Sequence, residues 1–441
     1  MISVERIKPS SPTPHHLRTY NISLLDQLMP CAYVTLVLYF FSDGDDNGNR
    51  VQHLKESLSQ TLVTFYPFAG VIRDALSADC NDQGLPLYVI KVNAQMRDFL
   101  QNPNVELINK FFPGEYGECG RDKLPGPGDS TMLIQLNCFE CGGISTSIVF
   151  CHSIADLVSI STFLRCWASY ARGLEFDHVS PLICAAQSSF PQKPSLPETL
   201  VPFNNILKYS SPAKFVTRRY IFDASVLSIL KAQLVSSSTG ATPSRVDVVT
   251  AVIWKCFMEA VAEESAGKDP KPYVMAHAVN MRRRAAPPFL EDSFGNFVWT
   301  PVVVCNNPQE KKLTELVWEV KKGVANIDGK FVRRLGSDGL FEFLEGLRKE
   351  MPQQAKLLGI TSWSNMGLCE VDFGWGKPVW LSGSVADNSE SETVGNGNFV
   401  TLIDTSDGGI EACAIFDHKY VAEFEKNDHI RKYARVNPSV I

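Results

Sequence analysis

Apolar residues recur at helical spacing from Val51 to Phe65, with Leu54, Leu58 and Leu62 between them, and predict an amphipathic helix. The stretch Tyr66-Pro67-Phe68-Ala69-Gly70 stops it. Thr131 to Cys138 and Gly143 to Phe150 are two apolar runs separated by Glu140-Cys141-Gly142, the pattern of a hairpin. The second run is nearly continuous, as in a strand buried on both faces. Leu157, Ile160, Leu164 and Trp167 then line one side of a helix predicted from Leu157 to Tyr170. Cys31 to Phe41 reads as a further buried strand, too short to span a bilayer. Beyond Gln187 the periodicity weakens, and five prolines up to Thr217 mark a linker. Order returns with a helix over Val248 to Ala262 and a strand over Tyr273 to Asn280, which meets Arg282-Arg283-Arg284. Ser382 to Asn398 is almost wholly small and polar and reads as a mobile surface loop.

At 441 residues the chain is long for one core. Two domains are expected, 1–182 and 217–441, with 183–216 as the connection. A formal net charge of −6 argues against nucleic acid, whose phosphates need a broad basic surface. The polar, Ser- and Pro-rich Met1 to Pro14 carries no secretory pattern, and the scattered cysteines sit inside apolar runs. A cytoplasmic, monomeric protein with reduced thiols and no membrane segment is the expectation. Cys138-x-x-Cys141 is the only close cysteine pair and lacks a second pair or histidines at ligand spacing other than His152, so no metal site is expected.

The chemistry concentrates where the second hairpin strand runs out, at Phe150-Cys151-His152-Ser153-Ile154-Ala155-Asp156. His152 sits in the turn between a buried strand and a helix, a place from which a rigid element can aim a side chain at a cleft. Imidazole is the side chain best matched to proton transfer near neutral pH. Alone, a histidine and an aspartate four residues apart are weak evidence, and a histidine at a strand end is commonly structural. Asp372-Phe373-Gly374-Trp375-Gly376, far downstream, contains Asp-Phe-Gly but has no Gly-rich loop or His-Arg-Asp segment upstream, which excludes a kinase.

Taken together, His152-x-x-x-Asp156 and the intact Asp372 to Gly376 run resemble the plant BAHD acyltransferases, over nearly the whole chain. Thr361-Ser362-Trp363, Tyr66 to Gly70, Cys80-Asn81-Asp82 with Gly84, and Leu25-Asp26-Gln27-Leu28 match as well. Within the family, the alkaloid-acetylating members are most similar. The resemblance implies an α/β architecture of two chloramphenicol acetyltransferase-like domains, mixed sheets flanked by helices, joined by a long crossover loop. An active-site channel would run along their interface. It implies acyl transfer from acyl-CoA, with acetyl-CoA the first expectation, to a hydroxyl of a small molecule. Acyl-CoA acts as co-substrate, with no permanently bound cofactor. The acceptor expected is an alkaloid; a terpenoid, a naphthoquinone or a volatile alcohol stays open, as does a catalytically silent binding protein of the same fold.

On this resemblance His152 is the general base, Thr361 the oxyanion donor and Trp363 a channel wall. Asp156 would turn away from the substrate and pair with Arg282, rather than orient His152 as in a triad. Asp372, Gly374, Trp375 and Gly376 become structural, with the glycines permitting a tight path around Trp375. Ser244 and Arg245, at the start of a helix, are candidates for CoA phosphate. Arg283 and Arg284 read rather as a solvated charged face. Direct transfer needs no acyl-enzyme, and Cys151 belongs to the opposite strand face and the core. Ser153 stands where many members have Lys, and Leu157 where many have Gly; a less permissive turn is the expected consequence.

Overall fold

The computed structural model describes residues 3–29, 31–42, 47–114, 124–176, 183–196, 213–235, 241–265, 272–337, 339–352, 355–383, 385–386 and 397–441. Two principal mixed sheets organise them. The first runs Ser3–Ile7, Leu85–Val92, Met132–Phe139, Ile144–Cys151, Tyr33–Phe40 and Trp380–Ser382 in spatial order. The hairpin is present, Met132–Phe139 antiparallel to Ile144–Cys151, and every residue of both strands is buried. Their polar members are satisfied in place: Asn137 Nδ2 donates to the hydroxyls of Ser145 and Ser147, at 3.1 and 3.2 Å.

Helices Asn47–Thr64 and Leu157–Ala171 cover this sheet and meet each other, where Trp167 Nε1 donates to the Leu54 carbonyl at 3.1 Å. The first helix begins before Val51 because Asn47 and Arg50 are tied to the hairpin turn through the Phe139 and Gly142 carbonyls. Tertiary bonds, not helical propensity, recruit Asn47-Gly48-Asn49.

The second sheet runs Val302–Cys305, Tyr273–His277, Lys356–Ser362, Phe399–Asp404, Ile410–Asp417, Phe215–Phe222 and Arg435–Val436. Helix Arg245–Glu264 packs its apolar face on it, together with Leu313–Ala325 and His418–Lys426. The strand expected over Tyr273 to Asn280 is broken at Ala278, whose N–H donates to Ile360. Val279–Asn280 then pairs with Val298–Trp299 in a separate small sheet.

The two halves interlock. Trp380–Ser382 leaves the second half and pairs antiparallel with Tyr33–Phe40 at the edge of the first sheet. Within the connection, Ala185–Ser189 is a short helix, and Ala186 and Phe190 pack with Leu24, Leu25, Met281 and Phe297. The rest of that stretch, 197–212, lies outside the described residues. So does most of the expected loop Ser382 to Asn398; of its described part, Ser382 ends the crossing strand, and Val385 and Ala386 are buried.

Candidate active site

A cavity of about 320 Å³ is lined by residues of both sheets, among them Tyr33, Phe150, His152, Thr361, Trp363 and Thr401. Its wall is mainly apolar. His152 follows the last residue of Ile144–Cys151 and reaches this cavity, partly exposed to it. Its backbone is held at both ends: the N–H donates to Ala32 at 2.9 Å, and Asn296 Nδ2 donates to its carbonyl at 2.7 Å. Burial pushes the imidazole below its usual value of 6.5. The His152 and Ala155 carbonyls, the Asp156 charge and the Asn296 amide act in the opposite sense and do not overcome it. The ring is therefore neutral at neutral pH and able to accept a proton.

Asp156 is the N-cap of helix Leu157–Ala171, accepting from Ser159 N at 2.9 Å. It faces away from any triad geometry. Arg282 Nη1 and Nη2 donate to its two oxygens at 2.6 and 3.0 Å, and Phe297 N adds a bond at 3.1 Å. Both charged side chains are essentially fully buried. Burial alone would raise the Asp156 carboxyl, but the Arg282 charge and these donors hold it below the usual carboxylate range. Arg282 in turn donates to the Ser293 and Gly295 carbonyls, which ties the turn after His152 to segment 293–297.

Thr361 lies in strand Lys356–Ser362, opposite Thr401, and both line the cavity beside Trp363. Cys151 is fully buried, and burial pushes its thiol up to about 11. It is no thiolate nucleophile at neutral pH. Leu157 takes the first helical position, a conformation open to any residue, so the turn after Asp156 needs no glycine.

Asp372 to Gly376 stands apart from the cavity residues. Asp372 Oδ1 accepts from the N–H groups of Gly374 and Gly376, at 2.8 and 3.0 Å. Both glycines have left-handed φ, +109° and +107°, so this closed turn requires them. Phe373 plugs against Trp167 and Phe40, and Trp375 stacks on Phe373. The motif lies four residues before the crossing strand Trp380–Ser382.

Ser244 and Arg245 start helix Arg245–Glu264 but are engaged there. Ser244 forms a capping box with Asp247. Arg245 bonds Asp404 at 3.0 Å and the Gly408 carbonyl at 2.6 Å. Arg283 is exposed and paired with Glu291, whereas Arg284 is half-buried and donates to the Val324 and Ile327 carbonyls, not part of a solvated face. Asn296, which donates to the His152 carbonyl, and Asp26, which accepts from Asn296, carry no signal of chemistry in the sequence. Asp26 lies within the matching run Leu25 to Leu28, the one available clue.

The Transferase family model matches residues 1–430. The chain is a BAHD acyltransferase. It is similar to epi-neemfruitin B 7-O-acetyltransferase of Melia azedarach, 34% identical over 100% of this chain and 99% of that one. It is also similar to stemmadenine O-acetyltransferase of Catharanthus roseus, 35% identical over 93% and 92% of the two chains. Among solved structures, vinorine synthase matches with a TM-score of 0.79 at 30% identity, covering 96% of this chain and 95% of that one. The two-domain fold expected from the motifs is the BAHD fold. Among the described residues, no helix is long and apolar enough to cross a membrane.

Proposed function

We propose that this BAHD enzyme transfers an acyl group, acetyl first, from acyl-CoA to a hydroxyl of a plant specialised metabolite, with His152 as general base. The observation that carries the reading is the place of His152 on the wall of the shared cavity, its imidazole pushed below 6.5 by burial, with Asp156 paired to Arg282 instead. His152 accepts the alcohol proton as the oxygen attacks the thioester carbonyl and the new C–O bond forms. The carbonyl oxygen becomes an oxyanion, for which the Thr361 hydroxyl is the donor. Collapse of the intermediate breaks the C–S bond, and the departing CoA thiolate takes the proton back from the imidazolium. General-base assistance of this kind contributes about 10²–10⁴-fold.

The mainly apolar wall, with Trp363, suits a polycyclic acceptor that presents one hydroxyl to His152. An alkaloid acceptor draws support from the likeness to stemmadenine O-acetyltransferase, and a terpenoid one from the likeness to limonoid acetyltransferases of Citrus sinensis and Melia azedarach. Arg245, at a helix N-terminus, is the candidate contact for CoA phosphate. We take the enzyme to work as a cytoplasmic monomer.

The test is thiol release from acetyl-CoA with a panel of hydroxylated alkaloids and terpenoids, followed by mass spectrometry of the products. Acceptor-dependent release with an acetylated product is expected from wild type and not from His152→Ala. No release with any acceptor or acyl donor would leave a ligand-binding protein of this fold instead.

A further inference from the structure

The run Leu25-Asp26-Gln27-Leu28 has no part in the chemistry above, yet Asp26 is fully buried. It belongs to a single helical turn, Leu24–Gln27, capped by Ser23. Its Oδ2 accepts from Ser23 N at 2.7 Å, which completes an ordinary capping box. Capping does not require the other oxygen to be buried as well. Oδ1 instead reaches a residue 270 positions away, accepting from both the backbone N and the Nδ2 of Asn296, at 2.8 and 2.7 Å. The second hydrogen of that same Nδ2 goes to the His152 carbonyl at 2.7 Å. Both partners of the amide are pure acceptors, so only its NH₂ group can bridge them, and the orientation of Asn296 is fixed by chemistry.

We infer that Asp26 is a positioning residue for the base: through Asn296 it fixes the backbone carbonyl of His152, and with it the direction in which the imidazole enters the cavity. The inference rests on the general-base reading of His152 and extends it to a residue that touches no substrate.

Segment Ser293–Phe297 is thereby held between two buried carboxylates. Asp156 receives Phe297 N and the Arg282 guanidinium on one side, and Asp26 receives Asn296 on the other. Gly295, with φ +109°, makes the turn between them, and a Cβ there would stand 2.8 Å from the Ala186 side chain. The two carboxylates differ in their donors. Asp156 has a cation, whereas the donors to Asp26 are neutral groups of Ser23 and Asn296. Burial accordingly pushes the Asp26 carboxyl up to about 6. The other titratable groups facing it, Tyr20 and Cys151, are pushed up by burial and stay neutral in that range.

The experiment compares Asp26→Asn and Asn296→Ala with Ser23→Ala, which removes only the hydroxyl that caps the helix. For each, kcat, the KM for acetyl-CoA and the pH profile of kcat are measured. The His152 ring is followed by histidine-selective NMR, with its signal assigned by His152→Gln. Asp26→Asn and Asn296→Ala should lower kcat about tenfold or more at little-changed KM, the scale of a misplaced catalytic group. They should also displace the His152 titration, while Ser23→Ala leaves both unchanged. The wild-type profile should fall as pH drops through about 6, and Asp26→Asn should keep only the acid limb that protonation of His152 itself imposes below 6.5. A His152 signal that titrates identically in wild type and in either folded variant overturns the inference, as does an equal loss in Ser23→Ala. Asn296→Ala leaves the N-terminal turn intact and keeps the test decisive if Asp26→Asn does not fold. The NMR comparison needs no turnover, so absence of acyl transfer in wild type counts against the general-base reading and leaves the Asp26 link to be judged separately.

Discussion

Asp156→Asn separates the two roles open to the aspartate of the His-x-x-x-Asp motif. The wild-type carboxylate accepts from Arg282 Nη1 and Nη2, from Ser159 N and Oγ, and from Phe297 N. Asparagine offers one acceptor oxygen in place of two and turns an NH₂ group toward donors. It also leaves the fully buried Arg282 guanidinium without its counter-charge. Removing one partner of such a pair costs about 3–5 kcal/mol. For 441 residues unfolding together, an unfolding entropy of about 2.1 cal/mol/K per residue gives about 0.9 kcal/mol per kelvin, so the loss is a Tm decrease of about 3–5 °C. Calorimetry and urea unfolding at pH 7 read this directly. The pH dependence fixes the sign. The folded Asp156 carboxyl lies below its usual 3.8, so its contribution is present above that value and is lost as pH falls through the lower folded one. The gap between wild type and Asp156→Asn should hold constant above about pH 5 and close only in acid. A variant as stable as wild type but inactive would refute the reasoning and return Asp156 to the triad role.

His152→Ala should lower kcat by about 10²–10⁴-fold with Tm little changed, checked by steady-state kinetics beside thermal unfolding. Because burial places the imidazole below 6.5, activity limited by His152 should hold down to that pH and fall only below it, as read from kcat/KM profiles; an acid limb above 6.5 would contradict the geometry. Thr361→Val should cost about 10²-fold in kcat at unchanged KM, while Thr361→Ser retains most turnover; equal rates in all three proteins remove Thr361 from the oxyanion role. Arg245→Glu should raise the KM for acetyl-CoA; a lower Tm with unchanged KM would reduce Arg245 to its ion pair with Asp404.

Much of the fold was legible because periodicity reports burial. The hairpin Met132–Cys151, the helix after Asp156 and the helix after Ser244 lie within a few residues of where their apolar patterns place them. The errors fall where long-range bonds override local pattern. Asn47 to Arg50 turn helical because the hairpin turn holds them, and the run from Tyr273 to Asn280 divides because Val279 pairs with Trp299 in another sheet. Trp380–Ser382 is a three-residue strand whose partner lies more than 300 positions earlier, and no local period announces that. For the site, His152 and Thr361 were visible through motif company, and the Asp156–Arg282 pair through resemblance. Asp26 and Asn296 were not, since a hydrogen bond spanning 270 residues leaves no spacing to read.

The same distant bonds explain why neither half can hold the site alone. The first sheet supplies His152 and the second supplies Thr361, but the bonds that set their relation cross between the halves: Asp156 to Arg282, Asp26 to Asn296, and Arg165 to Asp292. The crossing strand adds another. Trp380 Nε1 donates to Glu411, and the buried Arg219 pairs with that carboxylate at 2.8 Å while lying over the Trp380 ring. The geometry of the candidate site and the stability of the seam are therefore carried by one set of contacts. Substitutions in that set should move kcat and Tm together. Those confined to the cavity wall, His152 and Thr361, should move kcat alone, so the two responses distinguish residues that do chemistry from residues that hold it in place.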